Sequence, residues 1–225
     1  MGELIEFQSN GGTGQGYLAV PGSGRGPGVV VIQEWWGLVP HIKEVCDRLA
    51  SEGFVALAPD LYHGQETTEP DDAGKLMMGL RLEQAAKDMS GAVDALLKRS
   101  AGDLVGVIGF CMGGGLALIL ASKRPDAVAV CSAFYGAIPW EGEAPSWADL
   151  RAHVQIHVGD KDNWALSFAE DLGPTLWELD KDCQIFRYEG ADHAFFNDTR
   201  PEVYDGAAAS LAWRRTLELL HDHLD

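Results

Sequence analysis

Apolar and polar residues along this chain follow two different periods. Leu4 to Ser9 and Gln15 to Val20 alternate apolar with polar, and Asn10-Gly11-Gly12 divides them, which predicts an antiparallel hairpin opening the fold. Val29-Val30-Val31-Ile32 and Phe54-Val55-Ala56-Leu57-Ala58 are instead unbroken apolar runs, the pattern of strands covered on both faces. Between them, from about Pro40 to Glu52, Ile42, Val45, Cys46 and Leu49 recur at helical spacing.

The same alternation of element types continues. Residues 62–74 are polar and rich in turn formers, a surface excursion, and a long helical pattern runs from about Ala73 to Arg99. A β-branched run then enters Gly109, and a helix-forming run, Leu116 to Ala121, leaves the turn beyond it. Ala127 to Cys131, Val154 to Val158 and Gln184 to Tyr188 read as three further strands. A loop from Gly136 to Trp147, a helix from about Ala165 to Leu179 and a final helix lie between and after them. The final helix is expected to turn Ala207, Leu211, Leu217 and Leu220 toward the core. Strands alternating with helices mean an α/β fold: eight strands, mostly parallel, with helices on both faces of the sheet. Neither a linker nor a repeat interrupts the pattern, so residues 1–225 are expected to form a single domain.

Gly109-Phe110-Cys111-Met112-Gly113 sits where a strand gives way to a helix. This is the G-x-S-x-G nucleophile elbow with cysteine in the serine position. A residue held on so tight a turn needs tiny neighbours two positions away on either side, and Gly109 and Gly113 meet that need. Its side chain is lifted above the sheet edge at a helix N-terminus, where the helix dipole favours a thiolate.

In open α/β sheets, sites form beyond the carboxyl ends of the strands. The segments just past the strand ends are therefore informative: Gln33-Glu34-Trp35-Trp36-Gly37, then Cys111, then Gly159-Asp160-Lys161-Asp162-Asn163-Trp164, then Glu189-Gly190-Ala191-Asp192-His193-Ala194-Phe195. Nucleophile, acid and histidine come in the chain order of an α/β-hydrolase triad. His193 is the candidate base. Asp160 or Asp162 is the orienting acid. Asp162 is favoured, because it lies deeper in the loop and can turn back, whereas Asp160 suits a turn former. Asp192 reads as a surface charge.

Charge narrows the partners. Against 17 Lys and Arg stand 34 Asp and Glu, a formal charge of -17, which argues against nucleic acid and anionic membrane surfaces. Cys46, Cys111, Cys131 and Cys183 lack Cys-x-x-Cys spacing, so neither a disulfide framework nor a zinc site is expected. The first residues carry no basic stretch leading into an apolar run, and a cytoplasmic location is expected.

With these residues in view, the chain resembles the dienelactone hydrolase family. The match is carried by Gln33-Glu34-Trp35-Trp36-Gly37, Ala58-Pro59-Asp60-Leu61-Tyr62, Gly109-Phe110-Cys111-Met112-Gly113-Gly114, Gly159-x-x-Asp162 and Asp192-His193-Ala194-Phe195, in order over roughly residues 28–220. The resemblance implies an α/β-hydrolase fold and a Cys111-Asp162-His193 triad. It implies that Glu34 attends the resting thiol, and that the backbone N–H groups of Met112 and Trp35 hold the oxyanion. Trp36, Phe110, Trp164, Asn197 and Arg200 fall to substrate binding. Family members that act on dienelactone carry an arginine four residues after the histidine; here that position is Asn197, with Arg200 three further on.

The expected activity is hydrolysis of a lactone or activated carboxylic ester through a thioester, without metal or cofactor. The expected partner is that small molecule, with the protein a monomer or weak homo-oligomer. Two other readings use the same residues: a promiscuous aryl or acyl esterase, and a non-hydrolytic thiol sensor or ligand-binding module built on Cys111.

Overall fold

The computed structural model describes residues 2–9, 11–140, 142 and 145–225. Asn10 in the expected hairpin turn, and residues 141, 143 and 144 of the expected loop, lie outside them. Among the described residues, strands β1 (Glu3–Ser9) and β2 (Gly12–Ala19) pair antiparallel with Leu4 opposite Tyr17, the expected opening hairpin. The other strands are β3 (Pro27–Ile32), β4 (Val55–Pro59), β5 (Ala101–Phe110), β6 (Val128–Phe134), β7 (His153–Gly159) and β8 (Cys183–Tyr188). The eight form one sheet in the order β1-β2-β4-β3-β5-β6-β7-β8. By its internal contacts the chain divides into two compact units, Met1–Val107 with Leu224, and Ile108–His223 with Asp225.

In the first unit, β2 joins β4 antiparallel and β4 joins β3 parallel. Val29, Val30, Val31 and Ile32 are wholly buried, as their unbroken apolar run requires. Burying each such side chain is worth roughly 1.5–3 kcal/mol, so this strand anchors the unit's core. Helix α1 (Pro40–Ser51) starts on Pro40, whose missing N–H costs nothing in a first turn, and it buries Ile42, Val45, Cys46 and Leu49.

The single long helix expected from Ala73 to Arg99 is two helices, α2 (Pro70–Met78) and α3 (Leu82–Leu97). The reason is local. Gly79 closes α2 by donating its N–H to the carbonyl of Lys75 at 2.9 Å, and Arg81 stands in an extended conformation before α3. Glycine is among the poorest helix formers, so the break falls there. Buried Asp88 on α3 accepts hydrogen bonds from the Ser9 hydroxyl and from the Gln84 side chain, and lies 3.2 Å from His63.

In the second unit β6, β7 and β8 run parallel, with Phe134 opposite His157 and His157 opposite Phe186. Helix α4 (Met112–Lys123) is buried on nearly all sides, and α5 (Asn163–Glu178) packs on β7 and β8. Helix α6 (Gly206–Leu224) is capped by Asp205, whose carboxylate accepts the N–H groups of Ala207 and Ala208 at 3.0 Å each. Its core face is Ala208, Ala209, Ala212, Trp213, Thr216 and Leu220. Ala207, expected in the core, is exposed, because the cap sets the helix phase and turns that position outward. Among the described residues no helix is long and apolar enough to cross a membrane.

Candidate active site

The elbow forms as its spacing requires. Cys111 stands between β5 and α4 with φ at 55° and ψ at -121°, a strained conformation for any residue with a side chain. Its N–H donates to the Phe134 carbonyl at 3.0 Å and its carbonyl accepts from Gly114 at 2.9 Å, so both sides of the strained residue are held. A Cβ on Gly109 would fall 1.9 Å from the Gly113 carbonyl oxygen. Only glycine allows this crossing. Cys111 itself is 8% exposed and sits at the positive end of α4.

The candidate acid and the candidate base stand on the loops after β7 and β8. A Cβ on Gly159 would meet the Ala191 carbonyl oxygen at 2.4 Å, so glycine at the end of β7 lets the two loops close on each other. Asp162 is buried and divides its carboxylate between two tasks. One oxygen caps α5 by accepting the Ala165 N–H at 3.1 Å; the other meets His193 Nδ1 at 2.5 Å. Asp160 does something different: its carboxylate accepts the Gly190 N–H at 2.7 Å and so ties the two loops together. Of these two aspartates, Asp162 is the one on the imidazole. Asp192 lies 3.9 Å from Lys161 on the surface.

His193 is also hydrogen-bonded to Cys111. Burial alone weakens its hold on a proton. The hydrogen bonds to Asp162 and Cys111, with the negative charge of both, outweigh that and raise its pKa to about 10. Its ring is flanked by Tyr135, with centroids 5.2 Å apart, and by Trp164, at 5.9 Å. Cys111, His193 and Asp162 therefore form one unbroken hydrogen-bonded chain from sulfur to carboxylate, and proton movement along it is chemically available.

The remaining candidate residues are placed as follows. Met112 is the first residue of α4 and is buried. Phe110 has no exposed surface; its ring packs on Phe134 at 4.8 Å and Phe196 at 5.3 Å, beneath the elbow rather than on an open wall. Asn197 is buried, and its side-chain carbonyl takes both the N–H and the hydroxyl of Thr199. Arg200 pairs with Glu202 at 2.9 Å. Trp164 is 43% exposed. In the first unit, Glu34 is buried, its carbonyl closes a turn with Gly37, and the rings of Trp35 and Trp36 meet edge-on at 5.0 Å.

A second polar cluster has no signature along the chain. His157, wholly buried on β7, contacts the Tyr188 hydroxyl through Nδ1 at 2.8 Å and the Ser132 hydroxyl through Nε2 at 3.1 Å. Ser132 in turn meets Thr216 at 2.9 Å, and Arg215 donates to the Tyr188 oxygen at 3.2 Å. Burial, together with the Arg215 charge, pushes the His157 pKa down to about 3. This histidine is held neutral, whereas His193 is held protonated.

Known proteins share this architecture. The family model described as the dienelactone hydrolase family matches residues 15–224. The chain is 38% identical to the protein called usf of Aquifex pyrophilus, covering all of both chains. It is 32% identical to a carboxymethylenebutenolidase of Pseudomonas sp. strain P51, over 97% of this chain and 94% of that one. Among solved structures, a Klebsiella pneumoniae protein provisionally named a dienelactone hydrolase superimposes with a TM-score of 0.89 at 27% identity, over 99% of each chain.

Proposed function

Because this chain belongs to the dienelactone hydrolase family, we propose that it is an enzyme hydrolysing a lactone or activated carboxylic ester through a Cys111-His193-Asp162 triad. The observation that carries the reading is the hydrogen-bonded chain from Cys111 through His193 to Asp162 at a strained elbow. Such strain persists only where surrounding structure enforces it, and it clusters at reactive residues.

The steps are set by the proton positions. The Cys111 thiolate attacks the carbonyl carbon, a C–S bond forms, and the carbonyl electron pair moves to oxygen. The Met112 N–H at the start of α4 holds that oxyanion, with Trp35 as the second donor implied by the resemblance. The tetrahedral adduct collapses, the C–O bond breaks, and the leaving alkoxide or enolate takes the proton from the His193 imidazolium. A thioester remains and the imidazole is neutral. A water then gives its proton to His193 and attacks the thioester, the C–S bond breaks, and carboxylic acid and thiolate are released. Ester and water become acid and alcohol. Asp162 fixes the tautomer throughout. Thiolate leaves more readily than alkoxide, so the scheme favours substrates with good leaving groups, such as enol esters.

Glu34, assigned by the resemblance to thiolate formation, is tested by Glu34→Gln, which lowers the acylation rate and leaves thioester hydrolysis alone. All four cysteines are buried and free of disulfides, which supports the cytoplasmic location we propose. The decisive experiment is turnover of p-nitrophenyl acetate by the native protein and by Cys111→Ala, with mass spectrometry of the quenched reaction. Repeated turnover and an acetyl group on Cys111 are expected, both lost in the variant. A single stoichiometric acylation without turnover would replace the hydrolase with a thiol sensor.

A further inference from the structure

In the second unit lies a groove of about 260 Å³ whose walls include Ile138, Trp140, Trp147, Phe168 and Leu172. It approaches the lower end of the size range of small-molecule pockets, roughly 300 Å³ and upward, and is lined as they are, by aromatic and aliphatic side chains. Among the described residues of its wall, Asp171 is the one that is ionisable.

Two separate stretches of chain lead from the His193 imidazole into this groove. The first is α5. Trp164, whose ring lies 5.9 Å from that of His193, shares a helix face with Phe168 and Leu172 at spacings of four and eight. At 1.5 Å per residue, Phe168 lies about 6 Å and Leu172 about 12 Å along the helix from Trp164. The second is the segment after β6. Tyr135, 5.2 Å from the same imidazole, precedes Ile138 and Trp140 by only three and five residues. The base is thus flanked by the first residue of each path, and the groove lies where the paths continue.

We propose that this groove is a binding site for the leaving-group half of the substrate, and that this half carries an uncharged aryl or alkyl arm. The inference rests on the hydrolase reading and deepens it. The side is dictated by the chemistry: the departing oxygen takes its proton from His193, so the alcohol or enol portion lies on the imidazole's side of the carbonyl, where both paths begin. The arm's character is dictated by the lining: apolar walls gain from burying hydrocarbon, and Asp171 repels a carboxylate.

The test compares kcat/KM for phenyl acetate, 4-pentylphenyl acetate and 4-acetoxybenzoate, and separately for p-nitrophenyl acetate and butyrate. The pentyl ester is expected to exceed phenyl acetate about tenfold, as burial of several methylenes provides, and the benzoate to fall below it. Phe168→Glu and, independently, Thr175→Trp at the far end of the groove are each expected to erase the pentyl preference while the butyrate-to-acetate ratio stays put. A missing preference, or one that both variants retain, overturns the inference. A butyrate-to-acetate ratio that moves instead assigns the groove to the acyl side and overturns the side proposed. Binding of 4-pentylphenol, measured by tryptophan fluorescence, needs no turnover. Binding that Phe168→Glu abolishes in a protein that hydrolyses no ester would sink the hydrolase reading and leave the groove as a site for such arms. Ester turnover with no phenol binding would sink the groove and leave the hydrolase.

Discussion

Asp162 serves His193 and helix α5 at once: Oδ2 meets the imidazole Nδ1 at 2.5 Å while Oδ1 accepts the Ala165 N–H at 3.1 Å. The cap fixes where the carboxylate stands, and the carboxylate fixes which nitrogen of His193 faces Cys111. An amide at this position keeps an oxygen for the cap but can present N–H to the imidazole, selecting the wrong tautomer. Asp162→Asn is therefore expected to lower kcat by about 10³–10⁴ with little change in the urea midpoint. Asp160→Asn, at a position whose native carboxylate accepts the Gly190 N–H, is expected to retain most of kcat. Steady-state kinetics of the two variants decides, and the reverse ranking would reassign the acid.

His193 carries a second prediction, about pH. Its pKa is raised from 6.5 to about 10, so the imidazolium persists through neutrality and is lost as pH rises through that value. Esters whose leaving groups need a proton, such as phenyl acetate, should hold their kcat/KM across neutral pH and lose it on the alkaline side. p-Nitrophenyl acetate, whose leaving group needs none, should decline less. Part of the elevation comes from Cys111, so Cys111→Ala should lower the imidazole pKa, read by NMR titration. An unchanged titration would separate the sulfur from the ring.

Much of this site is legible along the chain because its parts are local. The elbow declares itself through Gly109 and Gly113, whose backbones cross too closely for a side chain on Gly109, and each loop that carries a candidate residue comes after a strand whose apolar run is unmistakable. Asp160, expected to serve a turn of its own loop, instead accepts the Gly190 N–H of a distant loop at 2.7 Å, a partner that local turn chemistry does not reveal. What stayed hidden depends on partners far apart in sequence. His157 looks like any strand residue until Ser132, Tyr188, Arg215 and Thr216 are folded around it. Phe110 occupies a motif position next to Cys111, yet strand alternation sends its ring down among Phe134 and Phe196. Helical periodicity carried straight across residues 79–81 because their flanks stay in phase, and only Gly79 marked the break.

The elbow itself can be tested without touching Cys111. In Gly109→Ala the new methyl would lie 1.9 Å from the Gly113 carbonyl oxygen, and because that atom belongs to the backbone, the start of α4 must shift. A stability loss of at least about 2 kcal/mol is expected, with a fall in turnover larger than the unfolded fraction explains. Urea denaturation and active-site titration measure the two effects. A variant with native stability and native turnover would mean the turn does not need its glycine.

The buried cluster around His157 predicts how the fold responds to acid. The folded-state pKa lies near 3, below the ordinary 6.5, so between those values the unfolded chain binds a proton that the native protein refuses. The cluster's contribution is therefore complete above about pH 6.5 and is withdrawn as pH falls toward 3, by up to about 1.4 kcal/mol per pH unit. Protonation would put a second donor on a ring whose neighbours already include the Arg215 charge, with Tyr188, Ser132 and Thr216 rearranging to accept it. His157→Gln keeps polar contacts but cannot titrate. It is expected to be less stable than the native protein at pH 7 and to lose less of its remaining stability on going to pH 4.5. Urea midpoints of both proteins at the two pH values measure the difference, which cancels the carboxylates common to both. Equal slopes would mean that the acid sensitivity of the fold arises elsewhere.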